Sequence, residues 1–218
     1  MSQLIFKFPF KTTYFEKDFF VSTNNFEAYK LIESWPKWSS KLINIFGPSG
    51  CGKTHLVNIL SKKLKLLSIN SKKFDEQINN LVEKFDCIVI ENYNENINEK
   101  LLYSLINQVK QYNKILVINS TKSLKNFQID LADLKSRLNS FLEIRIDLPT
   151  DDLIRVIISK TFSDKQIDLS SRNLEFIIKN IERSYDKIFQ FIKDIDNISL
   201  STGKSININL IKKVLINE

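Results

Sequence analysis

A glycine-rich segment in the first quarter of the chain carries the clearest chemical pattern in the sequence. It reads Gly47-Pro48-Ser49-Gly50-Cys51-Gly52-Lys53-Thr54 and fits G-x-x-x-x-G-K-[ST], the phosphate-binding loop. The glycines let the backbone turn so tightly that successive N–H groups point at phosphate oxygens. In this pattern Lys53 reaches the β- and γ-phosphates and the Thr54 hydroxyl holds Mg²⁺. The segment therefore predicts a nucleotide site that uses Mg²⁺.

Two further polar residues, Glu91 and Asn119, come directly after apolar runs that read as buried strands. The carboxyl ends of parallel strands meet at the ligand-binding edge of a sheet, so both side chains are expected near the loop. Glu91 is expected to help bind Mg²⁺, the alternative being a solvated carboxylate. Asn119 suits the γ-phosphate or the lytic water, or is an ordinary turn asparagine. Because Asn92 cannot act as a base, autonomous ATP hydrolysis is expected to be weak or absent.

Arg137 lies in the segment 134–138, just before the last predicted strand. An arginine at this position can reach the nucleotide of a neighbouring molecule as an arginine finger, which stabilises phosphoryl transfer. An ordinary surface arginine is the alternative, and the residues alone favour it.

The histidine and cysteine content limits the other chemistry available to the protein. His55 is the only histidine, which excludes a histidine-based metal cluster, and we expect it to pack or cap locally beside the loop. Cys51 and Cys87 are too few for a disulfide framework and are expected to be reduced.

The elements that must position these residues are strands alternating with helices up to about residue 148. This alternation predicts an α/β fold with a parallel sheet and helices on both faces. From Thr150 onward only helical periodicity remains, which predicts a small all-helical domain. The expected divisions are an N-terminal segment 1–20, a nucleotide-binding domain 21–148 and a helical domain 149–218.

Composition and charge narrow the class of protein. The 218 residues are 43% hydrophobic and 26% charged, as is typical of a soluble globular protein. No apolar run approaches the roughly 20 residues that span a bilayer, and the N-terminus lacks a signal-peptide pattern. A cytoplasmic protein without membrane contact is expected. The net charge of +7 favours an anionic partner, although the scattered lysines are weak evidence for DNA binding.

The first 20 residues are rich in aromatic side chains and poor in helix or strand periodicity. They open with Gln3-Leu4-Ile5-Phe6-Lys7-Phe8, an amide hydrogen-bonding group followed by apolar anchors. Such a segment suits a peptide that inserts its anchors into a partner's pocket. A tail folded onto its own domain is an equally good interpretation.

Over nearly its whole length the sequence resembles the Hda group of AAA+ proteins, relatives of the central domain of the replication initiator DnaA. Residues 3–8 are similar to the hexapeptide with which that group binds the sliding clamp. Five further segments carry the resemblance: Asp18–Ser22 with Asn25 and Ala28, Trp35–Trp38, Gly47–His55, Leu131–Leu138 and Glu182–Ser184.

The resemblance implies an AAA+ P-loop sheet followed by a helical lid domain. It further implies a regulator that carries ADP or ATP, docks on the DNA-loaded β sliding clamp and makes DnaA hydrolyse its ATP. Contact with DNA would then be indirect, through the clamp, sequence-specific origin binding is not expected, and homo-oligomerisation stays open. By resemblance the residue roles are an arginine finger acting in trans at Arg137, adenine contacts at Phe20 and Val21, nucleotide contacts from Gly47 to His55, and clamp contacts at Gln3, Leu4, Phe6 and Phe8.

The sequence departs from the family pattern at two places. Glu91-Asn92 replaces the usual Asp-Asp pair, which agrees with weak hydrolysis. Asp186 stands where the related motif in DnaA has a phosphate-contacting arginine, with Lys187 and Arg183 nearby. The residues therefore leave open which basic side chain in the helical domain faces the phosphates.

Two other functions compete with the regulator. One is a DnaA-like remodeller or helicase loader that acts on single-stranded DNA. The other is a small P-loop kinase, which needs basic residues that clamp the transferred phosphate. The region after residue 150 offers only three arginines, widely spaced at Arg155, Arg172 and Arg183, which disfavours the kinase.

Overall fold

The computed structural model describes residues 19–202 and 205–216, without the side chains of residues 202 and 216. The described chain forms two compact units, which meet in sequence between Asp147 and Leu148. The hexapeptide with the predicted clamp contacts Gln3, Leu4, Phe6 and Phe8 lies outside the described residues.

The first unit is built on a five-stranded sheet in which every neighbouring pair is parallel. Its strands are β1 (Leu42–Phe46), β2 (Leu66–Asn70), β3 (Cys87–Tyr93), β4 (Ile115–Ser120) and β5 (Leu142–Arg145). The spatial order is β2-β3-β4-β1-β5, so β1 lies between β4 and β5. This confirms the predicted parallel sheet, and the last strand, β5, lies at its edge. The strand order also brings the ends of β1, β3 and β4 together at one edge of the sheet.

Helices cover both faces of this sheet, as predicted. They are α1 (Phe26–Glu33), α2 (Lys53–Ser61), α3 (Glu99–Gln111) and α4 (Ala132–Leu138). On one face α3 and α4 pack on alternate strand residues, with Leu105 and Leu134 in one cluster with Ile90. Because successive strand residues point to opposite faces, the buried Ile43 and Val89 belong to the other face. Burial on both sides is what continuous apolar strands require.

Residues 71–84 lie between β2 and β3, where the alternation of strands with helices predicts an α-helix, and the structure differs from that expectation. They form two 3₁₀ segments, Ser71–Lys73 and Glu76–Lys84. The Asn70 side chain accepts from the backbone N–H of Lys72, and the Asp75 side chain accepts from that of Gln77. The two capping side chains are five residues apart. Each accepts a hydrogen bond from a backbone N–H, so a new short helix begins at each cap and one continuous α-helix does not form.

The second unit is entirely helical in its described residues, as the loss of strand periodicity after Pro149 predicts. Its helices are α5 (Asp151–Asp164), α6 (Ser171–Asn180), α7 (Tyr185–Thr202) and α8 (Ile208–Ile216). Side-chain oxygens of Thr150 and Ser170 cap α5 and α6 by accepting backbone N–H groups. The fully buried rings of Phe162 and Phe191 belong to a core shared by all four helices. None of the helices that the structure describes is long and apolar enough to cross a membrane.

Candidate functional site

The glycine-rich loop joins the end of β1 to the first residue of α2, the context that the motif requires. Gly50 and Gly52 adopt positive φ angles of 76° and 99°, which side chains with a Cβ rarely tolerate. Gly47 is needed for a different reason. A Cβ at this position would lie 2.5 Å from the carbonyl oxygen of Ile146, so the strand and the loop could not approach as closely.

Lys53 is buried at the start of α2 and is held by the loop itself. Its Nζ donates to the carbonyl oxygens of Gly47, at 2.7 Å, and Pro48, at 2.9 Å. The same Nζ lies 3.6 Å from Cys51 Sγ. Burial raises the pKa of the Cys51 thiol, and the nearby ammonium group opposes this rise. The loop therefore contains a positive charge inside a ring of backbone groups, while Cys51 is a free, protonated packing residue.

Three predicted site residues from three elements meet beside the loop. Glu91, at the end of β3, accepts two hydrogen bonds on Oε2. Thr54 Oγ1 donates to it over 3.3 Å, and Asn119 Nδ2 from β4 donates over 3.0 Å. Glu91 is only 8% exposed and Asn119 is fully buried, so the interpretation of Glu91 as a solvated carboxylate is wrong. The structure thus joins the end of β4 to the loop through one carboxylate.

This cluster presents oxygen atoms that the protein does not satisfy. Glu91 Oε1 and Asn119 Oδ1 are buried and accept no hydrogen bond from any described residue. Buried oxygens without partners cost free energy, and a cation or a ligand donor removes that cost. Mg²⁺ takes oxygen ligands and is usually bound by one or two carboxylates together with substrate phosphates and water. Thr54 and Glu91 therefore fit the expected Mg²⁺ site. No larger group of His, Cys, Asp or Glu suited to a metal occurs among residues 19–202 and 205–216.

Asn92 follows Glu91 in a left-handed conformation with φ of 56°. The register of β3 against β4 shifts between Ile90 and Tyr93, so Asn92 bulges out of the ladder and is exposed. Asparagine and aspartate both tolerate this backbone conformation. An acidic residue would fit the backbone here, but the amide of Asn92 cannot accept a proton from water.

The aromatic side chain that contacts the loop is Phe19, which the sequence did not single out. Its ring lies edge-on to His55 at 5.2 Å and stacks on Tyr29 at 5.8 Å. A Cβ on Gly52 would come within 3.0 Å of the Phe19 ring. His55 thus packs locally, as expected. No periodicity distinguishes Phe19 from the adjacent Phe20, so only the fold reveals which ring faces the loop.

The two residues assigned to the adenine by resemblance lie just beyond Phe19. Phe20 is 42% exposed, and its carbonyl oxygen accepts from Asn25 Nδ2 over 2.9 Å. Val21 is half-buried and lines an open depression of about 400 Å³ together with Phe26. Apolar walls of this kind suit the flat face of a base.

Arg137 is not part of the cluster around the loop. It is half-buried in the last turn of α4, and no carboxylate in the described part of the chain forms an ion pair with it. The chain continues from Arg137 to Leu142, which pairs with Ile43 near the amino end of β1. The loop follows the opposite end of β1, about 15 Å away by strand rise. Arg137 is therefore on the side of the sheet away from its own phosphate-binding loop.

In the second unit Arg183 is already engaged. Its Nε and Nη2 donate to the two carboxylate oxygens of Asp151, at 3.0 and 3.3 Å. Asp186 is exposed and Lys187 is half-buried. A guanidinium that already donates two hydrogen bonds to one carboxylate is a poorer phosphate ligand than one without such a partner.

Comparisons with known proteins find similarity to replication initiators. No protein-family model matches the chain. DnaA of Buchnera aphidicola subsp. Baizongia pistaciae is 27% identical over 243 residues, a match that covers 99% of this chain and 53% of DnaA. An uncharacterised protein of Haemophilus influenzae is 25% identical over 203 residues, covering 85% of this chain and 87% of that protein. The chain thus spans about half the length of the DnaA relatives that it matches.

Solved structures show the same fold. Domain III of Thermotoga maritima DnaA superposes with a TM-score of 0.76 at 20% identity, covering 96% of this chain and 98% of the domain. A DnaA structure bound to AMPPCP and single-stranded DNA superposes with a TM-score of 0.70 at 18% identity, covering 87% of this chain and 66% of that one. The predicted AAA+ fold is confirmed.

Proposed function

We propose that this chain, which is related to the AAA+ domain of the replication initiator DnaA, is a nucleotide-bound regulator of replication initiation. In this proposal it docks on the β sliding clamp and stimulates ATP hydrolysis by DnaA. The observation that carries the proposal is the position of Arg137. A cation without a carboxylate partner among the described residues, remote from its own phosphate-binding loop, is suited to a neighbour's nucleotide.

The protein's own nucleotide, ADP or ATP, would occupy the loop from Gly47 to Thr54. Lys53 would transfer its hydrogen bonds from the loop carbonyls to phosphate oxygens, and Thr54 and Glu91 would hold Mg²⁺. Bound Mg²⁺ neutralises phosphate charge. Asn119 fixes the orientation of the Glu91 carboxylate through its amide. With Asn92 after Glu91, this site binds nucleotide and hydrolyses it slowly, because the position offers no base for the attacking water.

Arg137 would act on ATP bound to DnaA rather than on the protein's own nucleotide. Charge accumulates on the equatorial oxygens of a phosphoryl group during transfer, and a guanidinium placed there stabilises that charge. DnaA would supply the nucleotide and the water, while this chain supplies the cation. Its contribution is therefore lost when the guanidinium alone is removed.

Clamp binding rests on the sequence of the N-terminal segment. Gln3, Leu4, Phe6 and Phe8 offer an amide and three apolar anchors on a short peptide, which suits insertion into a hydrophobic pocket. Tethering to a clamp on DNA raises the effective concentration of the regulator near DnaA. DNA contact is then indirect.

The deciding experiment measures hydrolysis of ATP prebound to DnaA, with clamp loaded on DNA and the regulator added. Wild-type protein is expected to accelerate hydrolysis. Arg137→Ala is expected to lower the stimulated hydrolysis rate by about 10³-fold, or to the unstimulated rate where the stimulation is smaller. Lys135→Ala, an exposed cation on the same helix, is the matched control and should behave as wild type. Full stimulation by Arg137→Ala would refute the finger.

A clamp pull-down tests the docking segment separately. Gln3→Ala combined with Phe6→Ala should lose clamp binding and keep nucleotide binding, since the loop is unchanged. Lys7→Ala, which removes a charge from the same segment but no anchor, should still bind. Equal retention of the double variant and the wild type would refute the hexapeptide assignment.

A second candidate is a remodeller that binds single-stranded DNA directly, which is supported by the similarity to a DnaA structure bound to AMPPCP and single-stranded DNA. It predicts binding of an oligonucleotide that weakens steeply with salt, in the absence of clamp. Salt-dependent oligonucleotide binding together with no retention on the clamp would select this function over the first.

A further inference from the structure

A small basic depression lies at the amino ends of the strands, away from the phosphate-binding loop. Its volume is about 390 Å³, and Lys41, Lys110 and Lys114 line it together with Ser140. Arg137 adjoins this wall, because its carbonyl oxygen accepts from both the backbone N–H and the hydroxyl of Ser140, at 3.0 and 2.7 Å. Three lysines therefore line a space that the chemistry at the loop does not use, and the backbone of Arg137 adjoins its wall.

Two of these lysines already contact oxygen atoms of the protein. Lys41 Nζ donates to the carbonyl and side-chain oxygens of Asn113, at 3.0 and 2.5 Å. Lys114 Nζ lies 3.9 Å from a carboxylate oxygen of Asp86. Both are therefore held at the rim by local acceptors.

Lys110 and Arg137 differ from them. Neither forms an ion pair with a carboxylate of the described chain, although they stand close enough to repel one another. Partial burial and the charge of Arg137 lower the pKa of the Lys110 ammonium group. Lys110 comes from the last turn of α3 and Arg137 from the last turn of α4. Lys110 is exposed and Arg137 half-buried, and an anion between two like charges relieves their repulsion.

We propose that Lys110 and Arg137 form one phosphate-binding pair that receives the triphosphate of ATP bound to a neighbouring DnaA-like molecule. This rests on the proposed function and adds Lys110 as a second phosphate ligand beside the finger. A depression with Lys110 on its wall and Arg137 next to it matches a chain of phosphates, each carrying negative charge on several oxygens. Arg137 supplies a planar fork, whereas Lys110 supplies a point charge on a flexible stem that follows the phosphate as charge moves.

The first arm of the test uses the full chain alone. The phosphate-binding loop is saturated with Mg²⁺ and ADP, and sodium tripolyphosphate is titrated while heat is measured. Wild type should bind it, and Lys110→Gln and Arg137→Gln should each bind about tenfold more weakly, the loss of one charge-assisted hydrogen bond. Lys110→Arg should bind as wild type, and so should Lys100→Gln, an exposed lysine at the other end of α3. Unchanged binding by Lys110→Gln overturns the proposal.

The second arm uses DnaA and measures how much regulator gives half-maximal stimulation. Lys110→Gln should require about tenfold more protein with ATP-bound DnaA, and Lys110→Arg should restore the wild-type value. If wild type stimulates and Lys110→Gln matches it, the inference fails while the proposed function stands. If wild type does not stimulate at all, the proposed function fails, and the tripolyphosphate titration still decides whether Lys110 and Arg137 bind phosphate.

Discussion

Asn119 Nδ2 donates a 3.0 Å hydrogen bond to Glu91 Oε2, linking the carboxyl ends of β4 and β3 beside the phosphate-binding loop. The other oxygen of each side chain is buried and accepts nothing from the described residues. The pair is therefore a fixed oxygen-rich corner, aimed by two neighbouring strands. Exchanging an amide for a carboxylate, or the reverse, at either position is therefore expected to change both the hydrogen bond and the affinity for Mg²⁺.

Asn119→Asp replaces the donating amide with a second carboxylate next to Glu91. Without Mg²⁺ the lost hydrogen bond and the repulsion should lower the free energy of unfolding by about 1–3 kcal/mol. Millimolar Mg²⁺ should recover part of that loss, because the cation binds between the two carboxylates. Urea unfolding in EDTA and in Mg²⁺ measures both effects. Asn96→Asp, at an exposed position, is the control. Wild-type stability of Asn119→Asp in EDTA would contradict the close approach.

Glu91→Gln keeps the shape of the side chain and removes the charge that would hold Mg²⁺. The affinity for ADP should fall about tenfold in Mg²⁺, the loss of one charge-assisted contact, and stay unchanged in EDTA. Titration with a fluorescent nucleotide under both conditions measures this. Glu95→Gln, whose exposed carboxylate pairs with Lys122, should keep its Mg²⁺ dependence. An equal loss in both conditions would mean that Glu91 acts through folding rather than through the metal.

Asn92→Asp supplies a carboxylate at the position where the family that the sequence resembles usually has an aspartate. Both residues tolerate the left-handed backbone, so stability should change by less than about 0.5 kcal/mol. If the missing base limits turnover, ATP hydrolysis by the protein alone should rise by about 10²-fold. Phosphate release measures it. The double variant Glu91→Gln, Asn92→Asp should lose the gain, and an unchanged rate in the single variant would show that another group limits hydrolysis.

Gly47→Ala places a methyl group 2.5 Å from the Ile146 carbonyl oxygen, a backbone atom that cannot rotate away. The strand and loop must separate, so stability should fall by about 1–3 kcal/mol and nucleotide binding should weaken. Thermal unfolding and ADP titration measure the two effects. Ser49→Ala changes an exposed residue of the same loop and should leave the stability unchanged. A fully stable Gly47→Ala would contradict the close packing of β1 against this carbonyl.

Phe191 and Phe189 test the helical unit with a matched pair on α7. Phe191 is fully buried, whereas Phe189 is 46% exposed. Phe191→Ala should lower the free energy of unfolding by about 3–5 kcal/mol through lost burial and a cavity. Phe189→Ala should cost far less. Circular dichroism during urea unfolding separates them, and equal losses would mean that the α7 face is assigned wrongly.

Much of this protein was determined by local sequence. The spacing of the glycines predicted the loop. The structure explains why glycine is needed there, since Gly52 has a positive φ and Gly47 packs against the Ile146 carbonyl oxygen, leaving no room for a Cβ. Unbroken apolar runs predicted strands buried on both faces, and the return to helical periodicity after Pro149 predicted a helical unit. The placement of Glu91 and Asn119 at strand ends brought both to the right edge of the sheet. These properties follow from short-range chemistry that a few neighbouring residues encode.

Tertiary structure alone decided which distant groups meet. Pairing of β3 with β4 sets Asn119 against Glu91, 28 residues away in the chain. Packing of α3 against α4 brings Lys110 close enough to Arg137 for their charges to repel, and the fold turns Phe19, rather than Phe20, toward the loop. Strand order and side-chain direction depend on how all the layers pack at once. No local pattern carries that information, so these contacts became visible only when the chain was folded.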